Sequence, residues 1–310
     1  MSHTKPVIFE VRAGSVIVRK SGRGKRIIVT LPSEKPKAHP FLRWAGGKQW
    51  IARIAKHLVP SNFVGTYYEP FLGAANLFLA IQPSKAVLAD VNKELVHTYR
   101  AIADNPDAVI KLLNTYRSSQ RFFLTMREKC PQKGVTIASR FIYLNKTAWN
   151  GLYRVNPRGE FNVPYGGRRD LRICPEDRIR AVAPLFRRAT LLAADFAETV
   201  STAKRGDFVY LDPPYITGHT NNGFLSYNSK LFSWDDQMRL SDVAKRLAAS
   251  GIYVLISNAN HWAVHQLYRG FFRYIVERNS LIGGWEGTRG RASESLLASF
   301  SLGGVPSEVL

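Results

Sequence analysis

The chain is short of cysteine, of acidic residues and of long apolar runs, and each shortage excludes something. Two cysteines, Cys130 and Cys174, among 310 residues cannot build a disulfide framework or a cysteine-based metal site. No apolar run reaches the roughly 18 residues needed to cross a bilayer, and Met1-Ser-His-Thr-Lys-Pro6 lacks the apolar stretch of a secretory signal. The expectation is a soluble protein in a reducing cytoplasm, with no membrane partner and no bound metal. Acids number 23 against 44 lysines and arginines, for a net charge of +21. A field of that sign attracts polyanions, and nucleic acid is the first candidate. No long basic amphipathic helix favours an anionic membrane instead.

The N-terminal 38 residues differ from the rest in pattern. Val7-Ile-Phe-Glu-Val11, Val16-Ile-Val18 and Ile27-Ile-Val-Thr-Leu31 read as short strands around the basic turn Arg19-Lys-Ser-Gly-Arg-Gly-Lys-Arg26. Pro32-Ser-Glu-Lys-Pro-Lys37 then reads as a linker. From Phe41 onward, strand and helix patterns alternate. Ile51, Ile54, Ala55, Leu58 and Val59 give a helical stripe over 48–59, and 76–81, most of 92–128, 137–150 and 235–249 read as further helices, with Pro106 opening a new one. Residues 64–68, 86–89, 190–194, 208–211, 253–257 and 296–300 read as strands, without internal repeat. Acids at strand ends within such alternation predict an α/β fold with a doubly wound, Rossmann-like sheet.

Asp212-Pro213-Pro214-Tyr215, directly after the apolar run Phe208–Leu211, is the most informative stretch. Each X-Pro step restricts the residue before it, and neither proline has an N–H to satisfy. The acid therefore projects as an acceptor beside a carbonyl acceptor, and the tyrosine ring can lie against a planar substrate. Two acceptors match the two hydrogens of an amino group on a flat ring. The alternative is a tight turn after a strand. Glu69-Pro-Phe-Leu-Gly-Ala-Ala75 offers a second turn, where small residues let a ligand approach the backbone. Ala74 and Ala75 depart from the usual glycine-rich pattern and fit a close turn if φ is negative. Asp90 follows Glu69 by 21 residues, about where nucleotide-binding sheets place the acid that holds a ribose. In Trp44-Ala-Gly-Gly-Lys48, the glycines permit close backbone approach and Lys48 suits an anionic group. The alternative there is a capped helix start with a buried tryptophan.

Trp44-Ala-Gly-Gly-Lys48, Glu69-Pro-Phe-Leu-Gly73, Asp90-Val-Asn92 and Asp212-Pro-Pro-Tyr215 together resemble the Dam-type DNA adenine-N6 methyltransferases. Residues 144–166, between the third and fourth of these, resemble that family's DNA-reading β-hairpin. The resemblance covers roughly residues 40–302. It implies S-adenosylmethionine as methyl donor and a flipped adenine in double-stranded DNA as acceptor. On this reading Trp44, Ala45 and Lys48 border the donor, and Glu69, Phe71 and Gly73 form its floor. Asp90 holds the ribose hydroxyls, and Asp195 with Phe196 holds the donor's adenine. Asp212 and the Pro213 carbonyl grip N6 of the target, Tyr215 stacks on it, and Asp212 also borders the donor. No metal takes part.

Sequence reading falls to the hairpin. The resemblance gives Arg154 a bidentate pair with a guanine, with a phosphate clamp as the alternative. Trp149 stacks or intercalates, and Asn150, Leu152 and Pro164 complete the reading surface. Arg43 matches a basic residue that contacts the first guanine, and the implied site is GATC. The implied organisation is a basic extension over 1–38 and a methyltransferase domain over 39–310, with a DNA-recognition insertion at about 97–188. The expected state is a monomer, with a cognate restriction nuclease as a further partner. Two other readings remain: an amino-methyltransferase acting on RNA or a protein amide, and a DNA-binding protein without activity. The extension carries nine Lys and Arg against two Glu, which suits a phosphate-contact surface. A small β-unit that packs on the sheet or recruits a partner is the rival. His261 and His265 have the i, i+4 spacing of zinc ligands, but Trp262 stands where the glutamate of that motif follows the first histidine. Both read as surface or packing residues.

Overall fold

The computed structural model describes residues 7–11, 15–20, 28–32, 38–44, 46–156, 158–168, 171–215, 232–279 and 291–303. Among them the strands are β1 (Val7–Val11), β2 (Ser15–Lys20), β3 (Ile28–Pro32), β4 (Tyr67–Glu69), β5 (Ala86–Ala89), β6 (Ala189–Leu192), β7 (Phe208–Leu211), β8 (Tyr253–Ala259), β9 (Phe272–Asn279) and β10 (Arg291–Ala298). The helices are α1 (Ala55–Leu58), α2 (Asn76–Ile81), α3 (Lys93–Asp104), α4 (Pro106–Asn114), α5 (Gln120–Glu128), α6 (Gly134–Thr147), α7 (Glu176–Arg187), α8 (Phe196–Thr199), α9 (Trp234–Ala249) and α10 (Trp262–Leu267). The fold is mixed α/β. Its chain divides into one unit of Met1–Lys35, Arg53–Pro70 and Phe196–Leu310 and another of Pro36–Ala52 and Phe71–Asp195.

Eight strands of the first unit form a sheet in the order β3-β2-β1-β9-β10-β8-β7-β4. The β4–β7 and β7–β8 pairs are parallel, whereas β8–β10 and β9–β10 are antiparallel. All four residues of β7 are buried, as expected of a central parallel strand covered on both faces. Strand β9 had no counterpart in the sequence reading, because Phe-Arg-Tyr-Ile-Val-Glu-Arg-Asn mixes charges into its apolar run. The expected strand over 64–68 begins only at Tyr67. Thr66 N–H donates to Asp207 Oδ1 at 2.7 Å, and a Cβ at Gly65 would lie 2.4 Å from that same oxygen. Val64 is 92% exposed.

Strand β1 pairs in parallel with β9, from Val7 opposite Tyr274 to Glu10 opposite Glu277. Its other edge pairs with β2, and β2 with β3. The N-terminal strands thus continue the sheet, and Val7 and Ile8 are buried. The basic turn at 21–26 lies outside the described residues. Deleting residues 1–38 is expected to lower the melting temperature by at least about 5 °C. Burial of one aliphatic side chain is worth roughly 1.5–3 kcal/mol, two such side chains are lost, and each kcal/mol shifts a chain of this size by about 1.5 °C. Scanning calorimetry of the truncated chain checks this, and an unchanged melting temperature would count against it.

In the second unit β5 and β6 form a parallel pair from Ala86–Ala189 to Ala89–Leu192. Helices α2 to α7 contribute the helical part of its core. Asn92 caps α3 by accepting from Leu95 N–H at 3.1 Å, and Asn105 caps α4 just before Pro106. The helix expected over 48–59 is a 3₁₀ turn at Ile51–Arg53 followed by the four-residue α1. The stripe Ile51, Ile54, Ala55 and Leu58 is buried as its spacing indicates. The helix nevertheless lacks a capping side chain, and Val59 is extended before Pro60. Helix α7 was missed because its acidic first turn and Pro184 obscure a buried stripe of Ile179, Val182, Ala183 and Phe186.

Candidate active site and nucleic-acid interface

Asp212 leaves the carboxyl end of β7 half-buried. Its Oδ1 accepts from the Ser257 hydroxyl on β8 at 2.7 Å. Ser257 Oγ in turn lies 2.9 Å from the Tyr210 hydroxyl. Tyr215 donates to Glu294 Oε2 on β10 at 3.0 Å, and Tyr67 donates to Glu69 Oε2 at 2.9 Å. The site therefore gathers carboxylates paired with tyrosine and serine hydroxyls. Burial first, then neighbouring carboxylates, push Tyr67, Tyr210 and Tyr215 well above the ordinary phenol range. All three remain neutral donors.

In the second unit Asp90 lies half-buried at the end of β5. Oδ2 accepts from Gly73 N–H at 3.1 Å and Oδ1 from Asn92 N–H at 2.9 Å. Burial raises the Asp90 carboxyl, and these two amides pull it back. Gly73 has φ of +46°, and a Cβ there would lie 2.8 Å from Trp44 Cδ1. The indole thus lies against a position only glycine can fill. Trp44 also stacks near Phe141 and Tyr153, with ring centroids 6.1 and 6.0 Å away. Tyr99 donates to Gly73 C=O at 2.7 Å, fixing the turn from the α3 side. The adjacent alanine departs from expectation: Ala75 has φ of +58° rather than a negative value. It is fully buried ahead of α2, and a left-handed alanine stores roughly 1–2 kcal/mol of strain. Lys48 is buried, Phe71 and Asp195 are half-buried, and Ala45 lies outside the described residues. In the first unit, Phe196 is buried with the Arg239 guanidinium 4.1 Å from its ring centroid.

Between Ala148 and Tyr165 the chain folds back on itself by local pairing. Bridges join Ala148 with Tyr165 and Val155 with Phe161. Trp149 N–H donates to Pro164 C=O at 2.9 Å, and Asn162 N–H to Arg154 C=O at 3.0 Å. Trp149 is 54% exposed, Asn150 takes a left-handed φ of +53°, Leu152 is half-buried, and Pro164 is exposed. The exposed Arg154 is steered by Asn162, whose Oδ1 accepts from Nε at 2.8 Å.

Asn145 was not anticipated. This fully buried residue of α6 accepts from Arg43 N–H at 2.8 Å and donates to Arg43 C=O at 2.5 Å and Gly151 C=O at 3.1 Å. A Cβ on Gly151 would lie 2.6 Å from Arg43 Cδ, so the arginine stem lies against the hairpin base. Partial burial and the cations Arg168 and Arg178 lower Arg43 from the ordinary guanidinium value. Lys146, next along α6, falls to about 8 through burial and the nearby Arg178 and Arg43, with Cys174 acting the other way. Like charges held together in this way favour an anionic partner. A polar asparagine inside a buried helical stripe was the available signal for Asn145.

Comparison with known proteins decides the family. A family model for the D12 class N6 adenine-specific DNA methyltransferases matches residues 44–282. The chain belongs to that family. It is 33% identical over 280 residues to the type II methyltransferase M1.LlaDCHI of Lactococcus lactis subsp. cremoris, covering 87% of this chain and 98% of the relative. It is also 33% identical over 273 residues to the DNA adenine methylase of Vibrio cholerae, covering 86% and 97%. A third relative, the type II methyltransferase M.MjaIII of Methanocaldococcus jannaschii, is 33% identical over 255 residues, covering 75% and 88%. This D12-class enzyme is therefore an adenine-specific DNA methyltransferase. Among the described residues, no helix is long and apolar enough to cross a membrane, and no group of three or more His, Cys, Asp or Glu is placed to hold a metal.

His261 and His265 both make hydrogen bonds within the first unit. His261 accepts from Ala263 N–H at 3.3 Å as the cap of α10. His265 Nδ1 faces Arg273, which can only donate, so the proton sits on Nε2 and is donated to Ser295 Oγ at 3.0 Å. Burial, Arg273 and His261 lower His265 from 6.5 to about 4. The unfolded chain therefore takes up the proton first as pH falls. The histidine's contribution to stability is full above about pH 6.5, declines toward pH 4 and is level below that. For a half-exposed ring, solvent screening reduces the loss to about 1–2 kcal/mol. Melting curves between pH 7 and 4 should show this loss, diminished in His265→Gln. An equal slope in that variant would remove His265 as its source.

Proposed function

We propose that the enzyme transfers a methyl group from S-adenosylmethionine to N6 of an adenine flipped out of duplex DNA, within GATC. The arrangement at Asp212 carries the reading: an acid after a buried strand, fixed by a serine hydroxyl and followed by two prolines and an anchored tyrosine. Asp212 and the Pro213 carbonyl accept from the amino group, Pro214 keeps the turn rigid, and Tyr215 stacks on the base. Adenine N6 is a weak nucleophile because its lone pair is delocalised into the ring. Holding both N–H groups draws the nitrogen toward tetrahedral geometry and localises the pair. Placement for in-line attack supplies most of the rate, and flipping costs a few kcal/mol, partly recovered by stacking.

The turn at Gly73 suits the donor, because a Cβ there would fill the space against Trp44. Both Asp90 oxygens accept one amide each and retain lone pairs for ribose hydroxyls. When bound, S-adenosylmethionine supplies an electrophilic methyl on sulfonium sulfur. Trp44, Ala45, Lys48, Glu69, Phe71 and Gly73 line the donor, and Asp195 and Phe196 take its adenine. Arg43, Trp149, Asn150, Leu152, Arg154 and Pro164 read the duplex, and a bidentate arginine–guanine pair is worth roughly 1–3 kcal/mol of discrimination.

Expression in methylation-deficient cells, with N6-methyladenine mapped by single-molecule sequencing, tests the reading. Methylation at GATC is expected. A different adenine context would overturn the site assignment, and unmethylated DNA would overturn the reading as a whole. Asp90→Ala should weaken donor binding by about 1.5–3 kcal/mol with little change in duplex affinity. Calorimetry giving unchanged donor affinity would return Asp90 to a structural role in its turn.

A further inference from the structure

We infer that Ser257 and Glu294 are positioning residues for methyl transfer, Ser257 holding the Asp212 carboxylate and Glu294 holding the Tyr215 ring. The inference rests on the proposed role of the Asp-Pro-Pro-Tyr segment as the platform for the target amino group.

Pro213 and Pro214 bring no N–H, so the turn has no backbone donor at those positions to hold the carboxylate. Neighbouring strands supply the restraint. Strands β7 and β8 pair in parallel, Tyr210 with Leu255 and Leu211 with Ile256. One step further along each chain stand Asp212 and Ser257. Strand β10 runs antiparallel to β8 with Glu294 opposite Ala259, two residues beyond Ser257 and so on the same face. The sheet register thus places a hydroxyl at the acid and a carboxylate at the tyrosine.

Donor directions follow from chemistry. An ionised Asp212 can only accept, so the Ser257 proton points to Oδ1 across 2.7 Å. Ser257 Oγ then accepts from Tyr210 across 2.9 Å. The order is Tyr210 to Ser257 to Asp212. Fixing one carboxylate oxygen sets where the other points, and donation to the carboxylate favours its ionised form. At the ring, Tyr215 donates across 3.0 Å to Glu294, whose side chain is buried. A charge-assisted bond of this kind is directional and limits how the ring can lie on a flat base.

The test is single-turnover transfer from tritiated donor to duplex by the full chain, beside donor calorimetry and gel shift. Ser257→Ala should slow transfer by about 10–100-fold, the size expected of misplacement near the reacting atoms, with donor and duplex affinities within about twofold. Ser257→Thr keeps the hydroxyl and should recover the rate to within a few fold. Glu294→Leu should slow transfer similarly, whereas Glu294→Gln, which keeps an acceptor, should be much milder. Added to Asp212→Asn, Ser257→Ala should cause no further loss, because the two groups act as one unit. A wild-type rate in Ser257→Ala, or an equal defect in Ser257→Thr, overturns the inference. If Ser257→Ala fails to melt cooperatively, Ser257→Val, which has the shape of threonine without its hydroxyl, replaces it, and a wild-type rate there overturns the inference equally. Retained transfer in Asp212→Ala would instead bring down the platform reading, which separates the two failures.

Discussion

Asp212→Ala is expected to lower the single-turnover rate of methyl transfer by at least about 10²–10³-fold, on the order of 2.7–4 kcal/mol, while duplex affinity changes by less than about threefold. The expectation follows from where the acid sits. It leaves β7 beside two prolines, and Ser257 holds one of its oxygens. Removing the carboxylate leaves the N6 lone pair in the ring system and the amino group without its charged acceptor. On the proposed reading, duplex affinity comes chiefly from elsewhere, from the 144–166 segment and the cationic group around Arg43 and Lys146. A tritiated-donor assay beside a gel shift separates the two quantities. Residual transfer above a few per cent would remove Asp212 from the chemistry, and parallel loss of duplex binding would point to a folding defect.

What the sequence made legible were features that depend on local chemistry. The strand Phe208–Leu211 and the acid after it could be read from an apolar run ending in Asp-Pro-Pro-Tyr. The α4 start at Pro106 could be read because proline suits the first helical turn. Features set by contacts between distant segments could not. Ser257 is an ordinary strand serine until the β7–β8 register brings it to Asp212. Glu294 gains its meaning only from lying opposite Ala259. The pairing of β1 with β9 was hidden in the same way, because a five-residue strand carries no mark of its partner. Ala75 failed for a different reason. A left-handed φ is disfavoured for alanine, so its appearance follows from the turn around it, where Leu72 and Ala89 are joined and Gly73 is tied to Asp90.

Asn145→Leu is expected to be the most damaging single change within the second unit. Asn145 is fully buried and makes three hydrogen bonds that join Arg43 to the base of the hairpin at Gly151. Leucine approximates its volume but leaves the Arg43 N–H, the Arg43 carbonyl and the Gly151 carbonyl without this partner. Each orphaned group costs about 1–3 kcal/mol, so a total of about 3–9 kcal/mol is expected, lowering the melting temperature by roughly 5–13 °C. Arg43 would also lose the anchor that sets its direction, so on the proposed GATC reading discrimination at the first guanine should fall by about tenfold or more. Asn145→Asp keeps the acceptor for Arg43 N–H but sets a buried carboxylate oxygen against the Arg43 and Gly151 carbonyls, so at neutral pH its melting temperature should fall at least as far as that of the leucine variant. Measuring transfer on duplexes substituted at the first base, beside calorimetric melting, tests both consequences. A leucine variant with wild-type melting and unchanged first-base discrimination would show that the asparagine neither anchors Arg43 nor supports the hairpin.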